Sequence, residues 1–319
     1  MPISSLFERP LRTTWNATGN LTETLWWPSV REKMNDPKGT LVLFVIPGNP
    51  GVIEYYKEFC DTIFREREGN IEIVGVSHLG HSHGDHNQGD GRLYSLQDQI
   101  NHKIAIFDEL KRKFTSEHSH SVAPRFVLCG HSIGAFIATQ LLRSRPDHGI
   151  IQVYALFPTL QHIHKTPNGR LLSPLFHPTN TTLASSLIAS LRFILAPHIF
   201  TLLVKLCTSQ SVAYAKITTQ KLLHGQVVKN TLHMAMTEMQ QVQELDEEVI
   251  KENLEKFVFY FGERDDWAPI EHYEILCKKF PNGKVFICQD GCPHAFVLTH
   301  SEIMAAKVSK WIEAHEVTT

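Results

Sequence analysis

Short apolar runs alternate with longer segments of helical periodicity along the first half of the chain. A continuous apolar run such as residues 40–46, TLVLFVI, predicts a strand that is buried on both faces of a sheet. Similar runs occur at residues 71–76, 125–129 and 150–157, helical spacing occurs at 55–67 and 95–114, and a Thr/Trp/Leu-rich hairpin is predicted at 13–27, with Thr18-Gly19-Asn20 as its turn. Strands that alternate with helices predict an α/β fold with a mostly parallel sheet and helices on both faces.

The alternation stops near Pro158 and resumes at Lys256. The interval contains loop signals, a long apolar segment and a helix-like polar segment at residues 234–255. Apolar runs at 257–262 and 285–288 then restore the strand pattern, and a last helix is predicted at 302–314. We therefore divide the chain into a first core part at 1–157, an inserted helical cap at 158–255 and a second core part at 256–319.

Composition narrows the class of protein. The chain has 319 residues, a hydrophobic content of 42% and a net charge of −2, so it can form a large globular core and offers no basic surface for nucleic acid. Its six cysteines are irregularly spaced, which is typical of reduced thiols in an intracellular protein. We expect neither a signal peptide nor a transmembrane helix, because no uninterrupted apolar stretch is long enough.

The sequence Gly130-His131-Ser132-Ile133-Gly134 follows a predicted strand and precedes a predicted helix. This context is typical of the nucleophile elbow of α/β-hydrolases, in which the serine stands on a strained turn at a helix N-terminus. Glycines flank it because strand and helix approach closely there. The pattern is also common in ordinary loops, so its strand and helix neighbours carry the interpretation.

A serine nucleophile needs a base and an acid, which follow it in that fold in the order serine, acid, histidine. The strand at 257–262 leads to Asp265, with Asp266 as the alternative, and either could instead cap a helix. The last predicted strand leads to His294. For the oxyanion we predict the backbone N–H groups of Ile133 and Asn49, with Gly51 as the second choice after Asn49. A plain Pro-Gly turn at 47–51 is compatible with this role.

Four stretches together are specific: VIPGNPG at 45–51 with the following Glu54-Tyr55-Tyr56, CGHSIG at 129–134, GERDD at 262–266 and PHAF at 293–296. These four stretches resemble the lipid droplet-associated hydrolase family. The resemblance extends over nearly the whole length of the chain. The resemblance implies an α/β-hydrolase at the surface of lipid droplets and the endoplasmic reticulum that acts on lipid esters, with sterol esters as the suggested substrate. It also implies Ser132 as nucleophile, Asp265 and His294 as its charge relay, and no cofactor.

A competing motif lies in the loop after the second apolar strand. The stretch His81-Ser82-His83-Gly84-Asp85-His86 matches the His-x-His-x-Asp-His zinc signature of metallo-β-lactamases. That interpretation leaves Asp265 and His294 without a role, so we predict no metal site and expect these histidines to be exposed. We also expect His131 and Cys129 to be packing residues rather than a base and a nucleophile.

The segment 183–207, from Leu183 to Cys207, is too apolar for a one-sided helix and too interrupted to span a membrane. Two helices broken at Ala196-Pro197 could lie in a lipid surface, or could simply roof the active site. With the family resemblance we predict binding to a droplet or membrane surface through Leu187, Leu191 and Leu195. A protein that binds lipid surfaces and turns over slowly is the alternative function.

Overall fold

The computed structural model describes residues 10–17, 19–30, 39–84, 91–116 and 122–318. These residues form one eight-stranded sheet with the order β1-β2-β4-β3-β5-β6-β7-β8. The strands are β1 (Leu11–Ala17), β2 (Asn20–Trp27), β3 (Leu41–Ile46), β4 (Glu72–Val76), β5 (Arg125–His131), β6 (Ile150–Leu156), β7 (Phe257–Phe261) and β8 (Lys284–Ile287). The hairpin β1–β2 is antiparallel and β2 joins β4 antiparallel, whereas β3 to β8 run parallel. The predicted α/β fold is confirmed, and Thr18 of the predicted turn lies outside the described residues.

Helices cover both faces of the sheet. They are α1 (Lys57–Glu66), α2 (Leu96–Ser116), α3 (Ile133–Ser144), α4 (Pro167–Leu172), α5 (Pro178–Ile194), α6 (Pro197–Thr208), α7 (Val212–Ile217), α8 (Gly225–Gln241), α9 (Glu247–Glu252), α10 (Ile270–Lys279) and α11 (Ser301–Thr318). The central strand β3 shows why both faces are covered. Phe44 packs into one hydrophobic cluster while its neighbours Leu43 and Val45 pack into the cluster on the opposite face.

The helices α4 to α9 all lie between β6 and β7, within the predicted cap at 158–255. The break predicted at Ala196-Pro197 is confirmed, since α5 ends at Ile194 and α6 begins at Pro197. The single helical segment predicted at 234–255 is wrong. Helix α8 starts at Gly225 and stops at Gln241, and Asp246 then caps the separate helix α9 by accepting a hydrogen bond from the Val249 N–H.

The parallel strands bring their carboxyl ends to one edge of the sheet. The loop after β3, the turn after β5, the loop after β7 and the loop after β8 therefore leave the sheet on the same side. These four connections carry the candidate site residues, and the cap begins directly after β6 on that side.

Candidate active site

Ser132 occupies a strained turn between β5 and α3. Its backbone has φ 55° and ψ −123°, a combination that non-glycine residues rarely adopt. The flanking glycines are required sterically: a Cβ on Gly134 would lie 2.2 Å from the Ile46 carbonyl oxygen, and one on Gly130 would lie 2.3 Å from the Gly134 carbonyl oxygen. Strand and helix thus approach as closely as the glycine-x-serine-x-glycine pattern predicts.

His294 lies on the loop after β8 and reaches back to the serine. Its Nε2 is 2.8 Å from Ser132 Oγ, and its Nδ1 is 2.7 Å from Asp265 Oδ2. With an ionised aspartate, Nδ1–H donates to Asp265, which leaves the Nε2 lone pair free to accept the serine hydroxyl proton. This tautomer is the one that a general base for Ser132 requires.

Asp265 is buried, and its second carboxylate oxygen accepts hydrogen bonds from the backbone N–H groups of Trp267 and Ala268 at 2.8 and 3.0 Å. Burial alone would raise the pKa of Asp265, but the hydrogen bond from His294 and these two N–H groups outweigh it and lower the pKa. Asp266 is exposed, and its carbonyl oxygen accepts from the Asn168 N–H. Of the two aspartates left open by the sequence, the structure therefore brings Asp265 to the histidine.

The loop after β3 lies against the serine, since a Cβ on Gly48 would be 3.0 Å from Ser132 Cβ. Most of its backbone donors are already used. The Gly48 N–H donates to Tyr56 Oη at 2.7 Å and the Gly51 N–H donates to His81 Nδ1 at 3.0 Å, while the two prolines of the loop have no N–H. Among the described residues none accepts from the Asn49 N–H, which makes Asn49 rather than Gly51 the available donor on this loop.

His131 differs from the expected packing residue. Its Nδ1 accepts from Tyr56 Oη at 2.6 Å, and its Nε2–H donates to the His294 carbonyl oxygen at 2.7 Å. Burial and the nearby His294 ring lower the pKa of His131 to about 3, so the ring is neutral and can both accept and donate. His131 thus links the loop that carries His294, through Tyr56, to Gly48 of the β3 loop. Sequence reasoning quoted Tyr56 in a motif but gave it no role, because hydrogen bonds across elements leave no local pattern.

A cavity of about 630 Å³ opens onto Ser132 and His294. This volume is within the range of small-molecule sites. Its walls combine residues of the β3 loop and of the loop that carries His294 with aliphatic side chains of the cap, including Ile188, Leu191, Leu195, Leu203, Val204 and Leu222. Ser132 and His294 therefore form part of the wall of a largely apolar cavity.

The comparison with known families shows to which family the chain belongs. The family model described as "Lipid-droplet associated hydrolase" matches residues 39–297, which include every site residue described above. The chain belongs to this lipid-droplet associated hydrolase family. It is 28% identical to the lipid droplet-associated hydrolase of Mus musculus over 90% of this chain and 89% of the relative, and 31% identical to that of Gallus gallus over 88% and 86%. The protein is therefore a hydrolase.

Solved structures support the fold of this family member. The chain superposes on a membrane phospholipase A with a TM-score of 0.64 at 12% identity, covering 98% of this chain and 88% of that one. It superposes on an epoxide hydrolase from Vigna radiata with a TM-score of 0.60 at 13% identity, covering 96% and 99%. At these identities the likeness concerns the α/β-hydrolase fold alone.

The expected exposure of the loop histidines is wrong for His81. This ring is fully buried because it packs against the β3 loop, where its Nδ1 accepts a hydrogen bond from the Gly51 N–H. His83 is exposed and stacks on His224 of the cap with ring centroids 3.5 Å apart. Asp85 and His86 of the zinc-like motif lie outside the described residues. Within the described part of the chain no group of three or more His, Cys, Asp or Glu side chains could hold a metal ion.

Cys129, the other residue next to the elbow, is buried, and burial raises the pKa of its thiol. A neutral thiol in an apolar environment is a poor nucleophile. Its side chain packs with the cluster on one face of the sheet, as expected for a small apolar residue.

Large apolar side chains on α5 and α6 are exposed. Phe193 is 92% exposed, Ile194 73% and Leu187 59%, and α6 adds a stripe formed by Ile199, Leu202, Leu203 and Leu206 at helical spacing. Among the described residues no helix is long and apolar enough to cross a membrane. Of the leucines predicted to contact lipid, Leu187 is exposed, whereas Leu191 and Leu195 are half-buried, pack against a small cap cluster and line the cavity. Leu191 faces inward on α5, and Leu195 directly follows the last residue of that helix.

Proposed function

We propose that this family member is a serine carboxylic-ester hydrolase that acts on lipid esters, with sterol esters as the first candidates. The observation that carries the proposal is the hydrogen-bonded series Ser132–His294–Asp265 at the end of a large apolar cavity. Such a series activates a hydroxyl for attack on an acyl carbonyl. The cavity excludes water from the acyl chain and favours an aliphatic substrate.

In the proposed mechanism Ser132 Oγ attacks the ester carbonyl carbon while His294 Nε2 takes the hydroxyl proton. The oxyanion that forms accepts hydrogen bonds from the backbone N–H groups of Ile133 and Asn49. Ile133 is the first residue of α3, so its N–H precedes the helical hydrogen-bond ladder and is available. His294 then gives the proton to the leaving alcohol, and water hydrolyses the acyl-enzyme by the reverse proton transfers. The mechanism needs no cofactor or metal.

The proposed place of action is the surface of lipid droplets and the cytoplasmic face of the endoplasmic reticulum. The exposed apolar faces of α5 and α6 support this, because buried apolar area is what holds a monotopic protein on lipid. The curated relatives are named for droplet association. Substrate extracted from the surface would enter a cavity that is walled in part by the same two helices.

A fluorophosphonate probe tests the nucleophile, and a panel of sterol, glycerol and retinyl esters tests the substrate class. We expect covalent labelling at Ser132, ester products from the wild type, and neither from Ser132→Ala; a chelator should change nothing. Equal hydrolysis by Ser132→Ala, or loss with a chelator and rescue by zinc, would contradict the serine mechanism. Droplet binding without measurable turnover of any ester would favour the alternative, a lipid-surface scaffold.

A further inference from the structure

The side chain of Asn49 connects the β3 loop to the cap. Its Nδ2 donates two hydrogen bonds, one to Glu238 Oε1 at 2.9 Å and one to the Thr231 carbonyl oxygen at 3.1 Å. Both acceptors belong to helix α8 of the cap. The proposed mechanism uses only the backbone N–H of Asn49, as a donor to the oxyanion. The Asn49 side chain and Glu238 have no role in that mechanism.

The anchors of this loop come from opposite directions. Gly48 is fixed by Tyr56 and Gly51 by His81, both of which belong to the sheet domain. Asn49, which lies between them, is held by α8. The orientation of the peptide unit that carries the Asn49 N–H therefore depends on a contact made by the cap.

Burial of the Glu238 carboxylate is energetically unfavourable. The residue is only 6% exposed, and a buried carboxylate is stable only when it is hydrogen-bonded. Burial raises the pKa of Glu238 to about 7, and the hydrogen bond from Asn49 opposes this rise. A hydrogen bond to a carboxylate is stronger and more directional than one between neutral groups, which suits it to fixing an amide side chain.

We propose that Glu238 is a positioning residue for the oxyanion hole: through the Asn49 side chain, helix α8 holds the Asn49 N–H in the direction of the reacting carbonyl oxygen. The assignment rests on the proposed serine mechanism. It makes the competence of the oxyanion hole depend on the position of a cap helix. A bridge that merely attached the cap would instead affect stability without affecting the chemical step.

Substitutions on either side of the bridge separate these two roles. With a small soluble ester, Glu238→Ala should lower kcat about 10- to 100-fold with little change in KM, since losing a whole oxyanion donor costs about 10²- to 10³-fold. Glu238→Gln keeps an acceptor oxygen and should stay within about threefold of wild type. Asn49→Ala keeps the backbone N–H but removes both hydrogen bonds to α8, so it should lose at least as much activity as Glu238→Ala, and the double variant should be no slower than Asn49→Ala.

Thr237→Val is the matched control. Thr237 precedes Glu238 on α8, and its hydroxyl accepts a hydrogen bond from the Leu96 N–H at 2.9 Å. This bond attaches α8 to α2 and does not involve the β3 loop. We expect this variant to lose stability and keep kcat. Affinity for a trifluoromethyl ketone, which forms a tetrahedral adduct with the serine, should fall in parallel with kcat/KM for Glu238→Ala and Asn49→Ala only.

Each outcome has a distinct meaning. Unchanged kcat in folded Glu238→Ala and Asn49→Ala, or a multiplicative loss in the double variant, would overturn the positioning role while leaving the serine mechanism intact. If Glu238→Ala does not fold, Asn49→Ala and Glu238→Gln give the same decision. A wild-type protein that neither hydrolyses esters nor reacts with the ketone would overturn the proposed function, and the positioning role with it.

Discussion

The cap presents two kinds of apolar side chain on α5 and at its C-terminal end, and they can be tested against each other. On α5, Leu187, Phe193 and Ile194 face solvent, whereas Leu191 and Leu195, the residue directly after α5, line the cavity. We expect serine at the three outward positions to release the protein from droplets and to leave hydrolysis of a small soluble ester intact. Serine at the two inward positions should leave droplet binding intact and lower the hydrolysis of long-chain esters.

The magnitude follows from the exposed fractions, 59%, 92% and 73% for Leu187, Phe193 and Ile194. Fully burying one such side chain is worth roughly 1.5–3 kcal/mol. If about half of the exposed area enters lipid, the three contribute about 2–3 kcal/mol together. That corresponds to a roughly 30- to 150-fold fall in the partition coefficient between lipid and water.

The assay is flotation with artificial droplets at several lipid concentrations, combined with turnover of a soluble ester and of a long-chain ester in detergent. The inward pair, Leu191→Ser with Leu195→Ser, is the matched control because it removes the same kind of atoms from α5 and the residue that follows it. Undiminished flotation of the outward variant, or equal release by the inward one, would refute lipid contact through this face of α5.

Four further results are expected. Asp265→Asn should lower kcat by roughly 10⁴-fold, because the histidine then takes the wrong tautomer, and Asp266→Asn by less than about threefold, as measured with any turned-over ester. Tyr56→Phe should lower the free energy of unfolding by about 1–3 kcal/mol in urea titrations, since it strips the buried Gly48 N–H of its acceptor. Gly134→Ala should cost at least about 1–3 kcal/mol in the same assay, because its Cβ would press on the Ile46 carbonyl oxygen. The folded-state pKa of Glu238, about 7, lies above its ordinary value, so stability relative to Glu238→Gln should fall by up to about 3 kcal/mol as pH rises from about 4.5 to above 7, and a constant difference between pH 5 and pH 8 would contradict this sign.

Local signals were sufficient for the sheet and for the residues nearest the chemistry. The apolar run at 40–46 became β3 because a strand buried on both faces tolerates no polar position. The elbow, Asp265 and His294 each lie in the connection that follows a parallel strand, so strand order alone predicts that they share one edge of the sheet. The approach of Asp265 to His294 could be expected from chain order, although the choice over Asp266 rested on spacing only.

Contacts between distant segments were not predictable in this way. Tyr56, His131 and Glu238 act through hydrogen bonds that span between 75 and 189 positions of sequence, and no local periodicity encodes such pairs. The inward and outward faces of α5 were also confused at Leu191. A helix with exposed apolar side chains on one side and cavity-lining apolar side chains on the other has no polar face by which hydrophobic periodicity could orient it.

The cap therefore has three layers, for which we propose different roles. Exposed side chains on α5 and α6 offer apolar area to a surface, inward side chains of the same helices wall the cavity, and α8 reaches the β3 loop through Glu238. Ser185 on α5 donates to the Gly225 carbonyl oxygen at the start of α8 at 2.9 Å, which ties the outer layer to the inner one. Under the proposed function, substrate, water and lipid meet different layers of the cap, so the position of a cap substitution predicts which property it changes: attachment, chain-length preference or the chemical step.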